Sequence, residues 1–173
     1  MEPFESVDAA WAALEAQRGL SEGEAVDFWE HALQTAEALE RSGADDELVA
    51  AGLLHDLGDG RVSDAAHAPW AAALVRPLFG DRVAWLVEQH AEAKRYLCAT
   101  EPSYWQGLSP VSQQTLVHQG GLMTADEVAR FRGHPWAEDA LRLRRADDAG
   151  KRADYRVPQP ERFRVLLARV AAG

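Results

Sequence analysis

Cysteine is nearly missing from this 173-residue chain: Cys98 is the only one, which excludes an internal disulfide and a cysteine-cluster zinc site and fits a reducing compartment. Long apolar runs are missing too. No stretch approaches the ~18 residues that suggest a membrane span, and the N-terminus MEPFESVDAAW has neither a basic segment nor an apolar run, so a cytoplasmic protein is expected. Cations are in short supply, with 18 Lys and Arg against 28 Asp and Glu and a net charge of −10. That balance argues against nucleic acid or an anionic membrane as the main partner, while leaving room for a small anion bound locally. Repeats, low-complexity tracts and strand-rich runs are absent as well. The remaining pattern, 47% hydrophobic residues on a helical period, reads as one all-α domain with no disordered part.

The informative stretch is GEAVDFWEHALQTAEALERSGADDELVAAGLLHDLGD. A helix is expected over 26–41, with His31 at its centre and Ser42-Gly43 as the stop. Glu24, seven residues earlier, falls on the same helical stripe as His31. Asp45 or Asp46 caps a second helix over 47–57, apolar nearly all round and closed by His55 and Asp56, where Gly58 lets the backbone turn away.

Other helices follow the same logic. Ser6 or Asp8 caps an N-terminal brace over AAWAALEAQ. His67 heads a stripe with Trp70, Ala71, Leu74 and Leu78 that stops at Gly80, and His90 and Lys94 share a stripe with Val83, Leu86 and Val87. Residues 100–121 are looser and expected to form a lid or wall, with Ser109-Pro110 as a helix start. Thr124 and Glu127 make a capping box for a helix to Phe131. Pro135 opens a helix with Trp136, Ala140, Leu143 and Asp147 on one side, Asp148 being one helical step away, and Pro160 leads a closing helix.

Four histidines (His31, His55, His67, His90) and two aspartates (Asp56, Asp147) therefore sit on apolar faces or helix ends. One such residue alone would be a hydrogen-bonded core group. Six buried together need cations to offset their desolvation, and two ions sharing Asp56 accommodate them better than one. His118 and His134 fall outside the pattern and are expected at the surface or in caps.

The motif of His31, His55-Asp56 and Asp147 resembles the HD-domain metalloproteins, and His67 and His90 resemble the branch with two metals. More narrowly, EHALQTAEAL, LVAAGLLHDLGD, HAEAKRYLCATEPSYW, LSPVSQQTL, HQGG and AEDALRLRRADDAGK are similar to the mixed-valent diiron HD-domain oxygenases of phosphonate catabolism. The resemblance spans about Glu24 to Tyr155 and implies a single HD-domain helical bundle with the metal site in its core; with the flanking helices read from periodicity, the expected layout is a brace over 1–20, the HD core over 22–155 and a terminal helix over 156–173. It implies an Fe(II)/Fe(III) pair with O2 as co-substrate, cleaving the C–P bond of a 1-hydroxyalkylphosphonate, such as 2-amino-1-hydroxyethylphosphonate, to a carboxylic acid and phosphate. His31, His55, Asp56 and Asp147 would hold one iron, and Asp56, His67 and His90 the other. Lys94, Ser112, Gln119 and Arg144 match the positions that hold the phosphonate, and Glu24 the one that faces the substrate's amino group. Two positions near the expected substrate pocket depart from the family: Ser21 stands where a tyrosine is frequent, and Asp59 where HD-x-G-H ends in histidine. A metal-dependent phosphohydrolase acting on a phosphate ester or nucleotide is the alternative that the same ligands would serve.

Overall fold

The computed structural model describes residues 2–21, 23–58 and 61–173, and among them every regular element is a helix. In chain order these are α1 (Val7–Glu15), α2 (Phe28–Arg41), α3 (Asp46–Leu54), α4 (His67–Thr100), α5 (Tyr104–Gly107), α6 (Pro110–His118), α7 (Ala125–Arg132), α8 (Ala137–Ala149) and α9 (Glu161–Ala172). None is long and apolar enough to cross a membrane.

Local chemistry explains most of the boundaries. Ser6, Asp27, Asp45, Ser109 and Thr124 are extended residues before a helix whose side chains each accept a hydrogen bond from a backbone N–H of the first turn. Thr124 and Glu127 form the expected reciprocal capping box. α8 begins at Ala137, two residues after the Pro135 expected to open it, and three boundaries nearer the histidines also differ from expectation. The Asp27 cap starts α2 at Phe28, so Glu24 lies in the bend before the helix and not on its stripe. α3 stops at Leu54 with His55 as its C-cap, which puts His55 and Asp56 in an irregular turn over 55–58. The His67 and His90 helices run on as α4, broken at Gly80, whose φ of 84° no helical residue adopts.

α2, α3, α4 and α8 form the centre, with α2 and α4 each packed against both α3 and α8. α9 covers α3 and α4, and α1 lies against α2 and α9 as the brace. The apolar faces meet in a core that buries Leu33, Leu39, Leu53, Leu54, Leu86, Leu97, Leu143, Phe163 and Leu167 almost completely. Each such side chain contributes about 1.5–3 kcal/mol on leaving water. α3 is buried on all sides, and Gly52 lets α2 approach it, since a Cβ there would lie 2.4 Å from Leu39 Cδ1. The brace is tied to the turn over 55–58 by Gln17, whose amide donates to the Asp56 carbonyl at 2.9 Å.

Candidate metal centre and substrate cavity

The central helices and the turn that follows α3 bring together all six residues expected to bind metal. His31, His55, His67, His90 and Asp147 are each at most 5% exposed, and the Asp56 side chain is 13% exposed. His31 comes from the first turn of α2 and not from mid-helix as the sequence suggested, because the Asp27 cap starts the helix late; His67 comes from the start of α4, His90 from its second segment and Asp147 from the last turn of α8. The turn over 55–58 supplies His55 and Asp56. It fits beneath α4 because Gly58 has no side chain: a Cβ there would lie 2.5 Å from the His67 carbonyl oxygen. Gly58 is therefore needed for space, not for the helix-ending backbone turn read from the sequence, and it is not among the glycines of positive φ.

Every imidazole is oriented in the same way. The Nδ1 atoms of His31, His55, His67 and His90 lie 2.9, 2.8, 2.6 and 2.7 Å from the carbonyls of Gly150, Gly52, Asp64 and Val87. A carbonyl only accepts, so Nδ1 carries the hydrogen and Nε2 turns toward the centre, the arrangement that orients metal-binding histidines. Asp56 lies between two groups. One of its oxygens is 3.3 Å from His31 Nε2 and 3.2 Å from His55 Nε2, and the other is 3.4 Å from His90 Nε2. Asp147 joins the first group, 3.4 Å from His31 Nε2 and 3.8 Å from His55 Nε2. His31, His55 and Asp56 form one cluster of metal-ligand spacing and Asp56, His67 and His90 another.

The donor set suits cations at both positions. His55 Nε2 is buried without a hydrogen-bond partner, and the Nε2 atoms of His67 and His90 are only 2.9 Å apart. With hydrogen on both Nδ1 atoms, these Nε2 lone pairs face each other, an arrangement that a cation relieves. Burial opposes a charge on His31, but hydrogen bonds with Asp147 and Asp56 outweigh it and push its pKa up to about 10. Two carboxylates thus converge on His31 Nε2, a place that favours positive charge. His90 is driven down by burial and by His55 and His67, and so keeps its lone pair. Burial would raise Asp56 and Asp147, yet both lie well below the usual carboxylate range, Asp56 through His55, His31 and His90, and Asp147 through Arg144, His31 and His55. Imidazole and carboxylate without thiolate suit iron, manganese or similar ions.

Beside this centre is a cavity lined by Lys94, Ser112, Gln119, Arg144 and Glu24 among the residues expected to meet substrate. Lys94, 2% exposed, donates to Thr115 Oγ1 at 2.7 Å, and burial, with Arg144 nearby, lowers its pKa to about 8. Gln119 Oε1 is buried without a hydrogen-bond partner. Arg144 is largely committed to protein groups: Nη1 donates to Asp147 at 2.7 Å, Nε to Tyr104 at 3.0 Å, and Nη2 to Asp148. Asp148, the sequence rival of Asp147, is held by Arg144 and Tyr104 and has no contact with the histidine cluster. Ser21 is exposed and does not line the cavity, and Asp59 lies outside the described residues.

α6 is the wall expected over 100–121, contributing Val111, Ser112 and Thr115. His118 is exposed, its Nδ1 lying 2.5 Å from Asp64 Oδ2, and His134 stacks on Trp85 with ring centroids 3.8 Å apart. Sequence reasoning missed Lys151, Thr115 and Asp64 as cavity residues. Lys151 ends the string LRLRRADDAGK one turn beyond Asp147, a spacing that marks it as a candidate.

Comparisons with known proteins agree with this geometry. The HD domain family model matches residues 28–148. The chain is 37% identical over 158 residues, 86% of this chain and 81% of the relative, to the 1-hydroxy-2-(trimethylamino)ethylphosphonate dioxygenase (glycine-betaine-forming) of Leisingera caerulea. It is 37% identical over 151 residues, 81% of this chain and 75% of the relative, to the hydroxymethylphosphonate dioxygenase of Gimesia maris.

Proposed function

The chain belongs to the HD-domain family, in its branch of phosphonate-degrading oxygenases, and on that premise we propose that this oxidoreductase uses O2 to cleave the C–P bond of a 1-hydroxyalkylphosphonate. The observation that carries the reading is Asp56, whose two oxygens face separate histidine groups beside a cavity lined by cations. The reaction balances as hydroxyalkylphosphonate plus O2 giving a carboxylate, hydrogen phosphate and one proton.

His31, His55, Asp56 and Asp147 would hold one iron, and Asp56, His67 and His90 the other. A mixed-valent Fe(II)/Fe(III) pair supplies the one-electron and O2 chemistry that side chains lack. The protein's own part is placement and charge. Lys94, Ser112 and Gln119 line the cavity with groups suited to phosphonate oxygens, and the Lys94 ammonium, whose hydrogen-bond partner among the described residues is the Thr115 hydroxyl, offsets the anion's charge. Arg144 holds Asp147 in place and brings a second positive group to the same wall. Orientation against the metal centre, rather than acid–base work by these residues, is the contribution expected of such a site.

Iron-loaded protein incubated in air with 2-amino-1-hydroxyethylphosphonate or hydroxymethylphosphonate should release phosphate and consume O2 one for one. Equal phosphate release under strict anaerobiosis would show hydrolysis instead and overturn the oxygenase reading.

A further inference from the structure

At the same 37% identity, the two relatives are named for substrates that differ beyond the hydroxylated carbon, one carrying a trimethylamino group and the other only hydrogen. Sequence identity therefore does not choose the substituent. The cavity wall facing it does.

Glu24, the carboxylate that the family resemblance sets against this substituent, is already engaged. Its Oε1 accepts from Lys151 Nζ at 2.7 Å and from Ser109 Oγ at 2.6 Å, and Lys151 Nζ also donates to Ser112 Oγ at 3.1 Å. Both side chains line the cavity and are about four-fifths buried, at 18% and 20% exposure. Burial would raise Glu24, yet its pKa is lowered, with Lys151 and Ser109 outweighing desolvation. Nor does Lys151 hang from a loose chain. The preceding carbonyl, of Gly150, accepts from His31, and both backbone groups of Arg152 are bonded to the Gln34 amide at 2.9 Å.

A cationic substituent approaching Glu24 thus meets a carboxylate whose charge is matched, with an ammonium beside it. To gain the carboxylate it must displace Lys151, leaving that charge unpaired in a partly desolvated wall that already carries Lys94 and Arg144. The other acids in the wall are committed, Asp56 and Asp147 to the histidine cluster and Asp64 to His118. Val26, Phe28 and Val111 add apolar surface to the same lining. A hydrogen or small uncharged group leaves all these pairs intact.

We propose that the Glu24–Lys151 pair is the selectivity element of this cavity, turning its substituent end against cations, so that the preferred substrate bears hydrogen or a small uncharged group on its hydroxylated carbon. This rests on the phosphonate reading above, and binding rather than turnover separates the two.

The iron-loaded full chain, titrated calorimetrically under argon, should bind hydroxymethylphosphonate at least tenfold more tightly than 2-amino-1-hydroxyethylphosphonate. Lys151→Met, which frees Glu24, should swing that ratio at least tenfold toward the amino compound, whereas Lys151→Arg keeps the wild-type order. A wild-type preference for the amino compound overturns the proposal and needs no variant to be seen. Equal weakening of both ligands in Lys151→Met also overturns it, showing that Lys151 serves the phosphonate. Should neither compound bind the wild-type protein at millimolar concentration, the phosphonate reading fails and this proposal with it.

Discussion

Arg144 and Asp147 are one turn apart on α8, and the arginine's Nη1 donates to the aspartate's Oδ2 at 2.7 Å while the other oxygen, Oδ1, lies 3.4 Å from His31 Nε2. The guanidinium thus holds the carboxylate in the orientation in which it meets the histidines. Both side chains are at most 5% exposed, so removing one leaves the other as an unpaired buried charge. Arg144→Leu should lower stability by about 3–5 kcal/mol and weaken metal binding by roughly 10–100-fold. Thermal melting and chelator competition measure the two effects. A variant that melts like the wild type would show that Asp147 does not depend on this partner.

The metal count separates the two histidine groups. His90→Ala removes a donor from the group of Asp56, His67 and His90 but leaves His31, His55, Asp56 and Asp147 in place. Iron per chain, measured by elemental analysis after gel filtration, should fall from about two to about one, with O2-dependent phosphate release lost. Retention of two irons would reject the assignment.

Gly150 is a packing requirement of the site. Its φ of −82° suits alanine, but a Cβ would lie 2.6 Å from Thr35 Oγ1 and 3.3 Å from His31 Nδ1, and Thr35 is completely buried. Gly150→Ala should cost about 1–3 kcal/mol through overpacking and disturb the carbonyl that orients His31. Gly107→Ala is the control, since its Cβ meets nothing within 4 Å, and it should stay within about 0.5 kcal/mol of wild type. Equal melting temperatures for the two variants would contradict the packing argument.

Lys94 sets an expected pH dependence. Burial lowers its pKa to about 8, so the ammonium is present below that pH and is lost above it. KM for a hydroxyphosphonate should therefore rise above pH 8, approaching about tenfold per unit. Lys94→Arg, charged throughout this range, should remove the rise even if its KM is higher at every pH. Profiles from pH 6.5 to 9.5 for the two proteins test this, and the same rise in both would assign it to another group.

Periodicity, caps and composition were sufficient for the all-α class, for most helix starts and for nominating the six ionisable residues that converge at the centre, because an ionisable side chain at an apolar stripe or helix end leaves a local trace. Asp27 and Asp45 start their helices through their own side chains, a decision taken within a few residues. Other features are invisible locally. The bend that carries Glu24 to the cavity from outside its helix, the close approach of Gly58 to His67 and of Gly150 to Thr35, and the pairing of Lys151 with Glu24 across 127 positions of sequence arise only when distant helices pack. Spacing along one helix says which face a residue takes, whereas charge neutralisation and steric fit depend on what the opposite helix places there. The sequence by itself could therefore nominate ligands for two cations, but only the tertiary structure decided that one Asp56 oxygen meets His31 and His55 and the other His90, and that Glu24 faces the cavity with its charge already matched.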